Sequence, residues 1–413
     1  MKLSPASALA LVPALALALL PPLRGEPAWS EPYTLAVSPR EDTAQTDPET
    51  GAELRFLTRG VPKATNLYFH QRSWLADGSV ILFFSAHEPG GLMGYVVETG
   101  ELVQVRAADG AKLSRPTAAK YGHSVYALAG DRVLEVELNL AYAGEGTGRR
   151  ATVTARERLL CTLKGIDVYL NESCDGRYLA AGGASLDGAS KPGLALIDTR
   201  TGRWQRLCDV PDGVAYHGHV QWSLTVPHWL SFAGAPNRLW VVDIRDRRPW
   251  CPYPQQADEL VTHESWWAHD QLLFCGGVHP KPTEDSHVKV LDLRAGTVRI
   301  VGDGSWWPGA TPAQVAKRNW WHAAGSEDGR WVAADNWHGD IMLFDGQTSR
   351  PRLLTTGHRT YGQGEHPEVG WDRRGEQVVF GSHKPGGVTV CVATIPRAWQ
   401  DDLRRLQIGL EAR

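Results

Sequence analysis

The chain of 413 residues carries no surplus of one charge, no CxxC pair and, beyond its first two dozen residues, no apolar stretch long enough to span a bilayer. Its 43 basic and 46 acidic side chains leave a formal net charge of −3, without the basic footprint of a nucleic-acid binder, so nucleic acid is not expected as a partner. The missing CxxC spacing excludes the common zinc-ribbon arrangements. No helical period appears before the last dozen residues, so no helical architecture competes for the chain. What remains is 42% hydrophobic and 22% charged, the make-up of an ordinary globular protein with a sizeable core.

The N-terminus reads MKLSPASALALVPALALALLPPLRGEPA, a lone Lys2 followed by an apolar run that Pro13 interrupts and Pro21 and Pro22 end. That pattern predicts a secretory signal over residues 1–26, export to the periplasm or the exterior, and no membrane attachment after cleavage. The remainder, residues 30–413, is expected to form one domain. Six cysteines (Cys161, Cys174, Cys208, Cys251, Cys275 and Cys391) are widely spread. In an exported protein some can pair, Cys161 with Cys174 for example, and buried free thiols in strands are the alternative.

From residue 67 onward one pattern recurs: a polar start, a turn of the Asp-Gly kind, a short apolar strand, a loop, another strand, then an aspartate turn. Clear copies are SWLADGSVILFFS, NESCDGRYLAAGG, WWAHDQLLFCGG, GSEDGRWVAADN and GWDRRGEQVVFGS, with degenerate ones at YGHSVYALAGDRVLEVEL and VQWSLTVPHWLSFAG. Seven such units of roughly 40 to 55 residues predict an all-β fold, a seven-bladed β-propeller. The segment AELRFLTR precedes the first full blade and is expected to close the ring by pairing with the last one.

Aligned on their turns, the copies place histidines at one phase. His70 lies seven residues before Asp77, His263 seven before Asp270, His322 six before Asp328 and His366 eight before Arg374, and His219 precedes its turn by a similar interval. Innermost propeller strands line the channel, so residues of equal phase converge at one mouth. In GQGEHPEVGW, Gln363, His366 and Glu368 lie on one side of an extended stretch, and with His322 of the neighbouring blade they form a set of nitrogen and oxygen donors for one ion. Polar groups that merely cap the channel are the other reading of the same pattern.

The segments ATNLYFHQRSWLADGSVILF, GHVQWSL, RLWVVD, VTHESWW, WHAAGSEDGRWVAAD and QGEHPEVGW resemble those of oligogalacturonate lyases, pectin-degrading enzymes with seven blades, over essentially the whole mature chain. The resemblance is that of a distant member. It implies a Mn²⁺ site at the channel mouth made by histidines and a glutamine, and an acidic oligosaccharide, an oligogalacturonide-like uronide, as substrate. It matches the base histidine to His263, an arginine near it to Arg238, and metal ligands to His322, Gln363 and His366. Where the family has a third histidine of this motif, the chain has Glu368. A carboxylate there is a hard donor that suits Mn²⁺, Ca²⁺ or Mg²⁺, and it adds negative charge beside the ion.

The implied chemistry is β-elimination, in which a base removes the C5 proton of a uronic acid and the bond at C4 breaks. An ionised carboxylate is a poor electron sink, so a cation held against it stabilises the charge that develops. Histidine suits the base because its ordinary pKa leaves it unprotonated near neutral pH. Arg238 offers a planar fork to a carboxylate. His70, His219 and Gln221 are expected to position sugar hydroxyls, and the pairs Trp266–Trp267, Trp306–Trp307 and Trp320–Trp321 either stack on sugar rings or pack between blades. Two other readings compete: a non-catalytic exported propeller that binds a glycan or protein at its mouth, and a hydrolase or isomerase on the same fold. The channel segments contain no G-x-S-x-G, which speaks against a serine mechanism.

Overall fold

A computed structural model describes residues 26–402 apart from 61, 89, 279–285, 305–318, 337 and 360–365. The signal segment, Gln363 and the Trp306–Trp307 pair lie outside the described residues.

Short strands that alternate or run apolar, separated by aspartate and glycine turns, assemble into seven antiparallel sheets. We number these blades in order of their inner strands: Ala64–Asn66, Ser114–Ala118, Asn171–Glu172, Ala215–Tyr216 with Gln221–Trp222, Thr262–Trp267, Ala323–Gly325 and Gly370–Trp371. The apolar core is divided as the ring geometry demands. Seven clusters of buried side chains fill the seven gaps between neighbouring blades, from Leu82 against Val125 in the first gap to Phe83 against Val390 in the last. The fold is therefore the expected seven-bladed β-propeller.

Closure follows the expected route and goes further. Glu53–Phe56 pairs with Thr389–Thr394 of blade 7, in the register Phe56 to Cys391. Thr43–Thr46 adds a further strand to the same sheet. Upstream, Val37–Ser38 pairs with blade 1 and Tyr33–Thr34 with blade 2. The N-terminal segment thus stitches together three blades. All six cysteines are free thiols, Cys275 and Cys391 buried in strands and the other four half-buried, so the thiol alternative holds. Trp266, Trp267 and Trp320 are buried between blades, whereas Trp321 is only partly covered.

Candidate active site

The inner strands do not run straight into the channel. In blade 5 the pairing Thr262 to Cys275 is followed by Ser265 to Leu273, so His263 and Glu264 together face one residue. Blade 2 makes the same slip at Arg115, blade 4 at His219 and blade 7 at Glu368. Each is a β-bulge, which bends the strand and re-aims a side chain. The first bulged residue is left-handed in all four, with φ of 50° at Arg115, 54° at His219, 49° at His263 and 53° at Glu368. Glycine usually occupies such a position, and a side chain there costs roughly 1 kcal/mol or more. The strain is the local means by which separate blades turn side chains into one mouth. Two residues beyond Phe274, which faces the blade 5 bulge, stands Gly276, where a Cβ would lie 1.8 Å from the Leu260 carbonyl oxygen.

Blade 1 departs most. Its inner strand leaves the ladder after Asn66 and returns at Trp74, and the intervening excursion crosses the channel. Phe69, 2% exposed, lies with its ring 5.2 Å from His70, 5.4 Å from His322, 6.1 Å from His263 and 6.3 Å from His219, and forms an apolar floor beneath the mouth. Tyr68 beside it is half-buried, its hydroxyl 3.2 Å from His219 Nε2.

His322, His366 and Glu368 each offer one ligand atom, and these atoms lie within 4.8 Å of one another. Two ligands on opposite sides of a calcium-sized ion stand up to about 5 Å apart, so the three fit around one divalent cation, and the mixed nitrogen and oxygen set suits Mn²⁺ as well. Asp335, fully buried at the end of the second strand of blade 6, prepares the site. Its carboxylate lies 2.9 Å from His322 Nδ1 and also accepts the backbone N–H groups of His322 and Glu368. With Nδ1 so engaged, Nε2 is the nitrogen left to face an ion.

His263 stands next to this set, its ring centroid 4.1 Å from that of His322 and 4.9 Å from that of Trp321. Burial, then the nearby His322, Arg238 and His219, push its pKa far below the ordinary imidazole range. It is an unprotonated base at neutral pH. Arg238 Nε donates to Glu264 Oε2 at 2.7 Å, and Glu264 is fully buried. Burial alone would raise the Glu264 pKa, but Arg238 and His219 outweigh it and hold the carboxyl well below the carboxylate range.

The structure brings His219, His263, His322, His366, Glu368 and Arg238 to one mouth. Gln221 lies elsewhere, and His70, its ring centroid 5.7 Å from that of His219, sits between the mouth and a deeper chamber. Both line this chamber of about 70 Å³, alongside Gln71, Trp222 and Trp371. Gln221 is 2% exposed and its amide donates to the Glu264 carbonyl at 2.8 Å, so it braces the strand that carries His263 instead of meeting a sugar hydroxyl. His70 receives the Gln71 amide at 2.8 Å, and burial lowers its pKa to about 3. Sequence reasoning passed over Tyr68, Glu264 and Asp335. Tyr68 and Glu264 are next to, or two residues from, phase-matched histidines, and that adjacency is a usable signal. Asp335 has none, because only strand register brings it under His322.

No protein-family model and no curated protein matches the chain by sequence. Solved structures do. An oligogalacturonate lyase in complex with manganese superposes with a TM-score of 0.67 over 88% of this chain and 98% of that one, at 15% identity. An oligogalacturonate lyase from Vibrio parahaemolyticus gives 0.66 over 89% and 100%, at 14% identity. The class is thus a seven-bladed propeller whose mouth gathers histidines, a carboxylate and an arginine. More particularly, the chain has the fold of the oligogalacturonate lyases.

Proposed function

We propose that the protein is a metal-dependent lyase that cleaves uronic-acid oligosaccharides of the oligogalacturonide type by β-elimination. The observation that carries this reading is the juxtaposition of a neutral, buried imidazole, His263, with a three-donor cation site whose nearest ligand, His322, is in ring contact with it. A scaffold that only binds glycans has no use for a base held neutral beside a cation site.

His322, His366 and Glu368 would hold the divalent cation, with Gln363 as a further ligand implied by the resemblance, and the cation would supply the positive charge that stabilises the uronate as its C5 proton leaves. Arg238, fixed by Glu264, turns its remaining N–H groups to the same carboxylate. His263 takes the C5 proton. Phe69 beneath the histidines keeps water from approaching from the channel side. Manganese and an acidic oligosaccharide are the cofactor and partner of this reading, and they rest on the names of the structural neighbours as well as on the donor set. The leader over residues 1–26 would deliver the enzyme outside the cytoplasm, which N-terminal sequencing of secreted protein checks.

The test is direct. Purified protein incubated with Mn²⁺ and oligogalacturonides is expected to release an unsaturated product that absorbs in the ultraviolet, and His263→Ala to abolish the signal while circular dichroism stays unchanged. Glycan binding without any such product, from every uronide tried, would replace this reading with that of a non-catalytic propeller.

A further inference from the structure

A β-elimination needs a proton for the departing oxygen as well as a base at C5, and none of the groups assigned so far supplies it. Three residues from three blades form a chain beside the base. Tyr68 of the blade 1 excursion places its hydroxyl 3.2 Å from His219 Nε2, and His219 Nδ1 lies 3.3 Å from Glu264 Oε1. Glu264 is fully buried and Tyr68 half-buried, so the chain runs from the interior to the open mouth. Its far end is anchored, because the other oxygen of Glu264 is held by Arg238. The remaining charged or titratable neighbours of His219 are Arg238, His70 and His263. One Arg238 nitrogen is 3.4 Å from both ring nitrogens, and since a guanidinium only donates, one of those nitrogens accepts from it. His70 and His263 are farther, with ring centroids at 5.7 and 6.5 Å.

We propose that Tyr68, held by His219, is the acid that protonates the oxygen leaving C4. The proposal rests on the lyase reading and adds its general acid. His219 accepts from Arg238 at Nδ1 and donates from Nε2 to the phenol oxygen, which leaves the Tyr68 O–H to donate outward. As His263 takes the C5 proton, the C5–H pair becomes the second bond between C4 and C5. The C4–O pair departs with the oxygen, which takes the Tyr68 proton. The His219 Nε2–H stabilises the phenolate, and the proton on His263 passes through solvent to restore the Tyr68 hydroxyl. Atoms and charge balance with no further reactant. Tyr68 is then a catalytic residue, because it touches the leaving group, whereas His219 acts through it.

The leaving group provides the test. Tyr68→Phe removes only the hydroxyl and keeps the ring that packs on Phe69, His70 and Tyr169. In the full-length, Mn²⁺-loaded protein, Tyr68→Phe is expected to lower kcat on an oligogalacturonide by about 10²- to 10⁴-fold. It is expected to leave kcat within a few-fold on a uronide carrying fluoride at C4, which departs without a proton. Equal losses on both substrates, or no loss on the natural linkage, would overturn this role for Tyr68. Failure of wild type to eliminate from either substrate would instead remove the lyase reading beneath it.

Discussion

Asp335 carries more of the site than any of its ligands. One buried carboxylate orients His322 through Nδ1 and fixes the backbone of both His322 and Glu368. Outer-shell partners of this kind are worth about 10- to 100-fold in metal affinity. Asp335→Asn is therefore expected to weaken Mn²⁺ binding by that factor while the chain still folds, as read by titration of the metal-free protein. Glu368→Gln removes the charge but keeps the shape, and should likewise lower cation affinity in the same titration; unchanged affinity would exclude Glu368 as a ligand. The histidines of this site could be found from the chain alone because repeats put them in phase. Asp335 could not, since its role depends on which residue of a neighbouring strand it faces. Gln221 shows the opposite failure: a polar residue at the right phase whose amide is spent inside the wall.

The bulge is the device that makes an ordinary blade functional. Four inner strands share it, and the left-handed residue at each is a side chain where glycine would be easier. Arg115 has the bulge without an assigned role in the elimination, so it isolates the backbone cost. Arg115→Gly should relieve the strain and Arg115→Val should worsen it, the two variants differing by about 1 to 3 kcal/mol in urea unfolding. Equal stability would mean that the left-handed conformation costs nothing there. The turns and apolar strands were legible because their chemistry is local. The bulges and the blade 1 excursion were not, since neither leaves a composition signal, and only pairing with the second strand reveals the extra residue.

At the scale of the whole molecule the ring is locked where its ends meet. His358, fully buried, lies between Ser382 of blade 7 at 2.9 Å from Nδ1 and Thr355 of blade 6 at 2.7 Å from Nε2. Thr355 in turn donates to Asp47 in the N-terminal hairpin at 2.6 Å. Because that hydroxyl proton is committed to Asp47, the ring donates through Nε2–H and accepts from Ser382, which is the neutral imidazole. Burial, with Lys384 nearby, lowers the His358 pKa to about 3. The unfolded chain protonates this histidine near pH 6.5 and the native chain does not. Stability is thus full above pH 6.5 and falls as the pH drops from there toward 3, by about 1.4 kcal/mol per unit. His70 adds a second group of the same sign. Urea unfolding at pH 7, 6 and 5 should show this loss, and His358→Asn should flatten it by one proton's slope; an unchanged slope would place the proton elsewhere.

The stitching of the chain's start onto its end has a consequence for how the protein is made. Phe56 finds Cys391 only after almost the entire polypeptide has emerged, so an early-synthesised strand must wait through the assembly of the other blades. A ribosome that stops short of residue 389 leaves Glu53–Phe56 paired with Thr43–Thr46 on one side and with bare amides and carbonyls on the other. Such truncated products should collect as aggregates, because an open strand edge recruits its own kind.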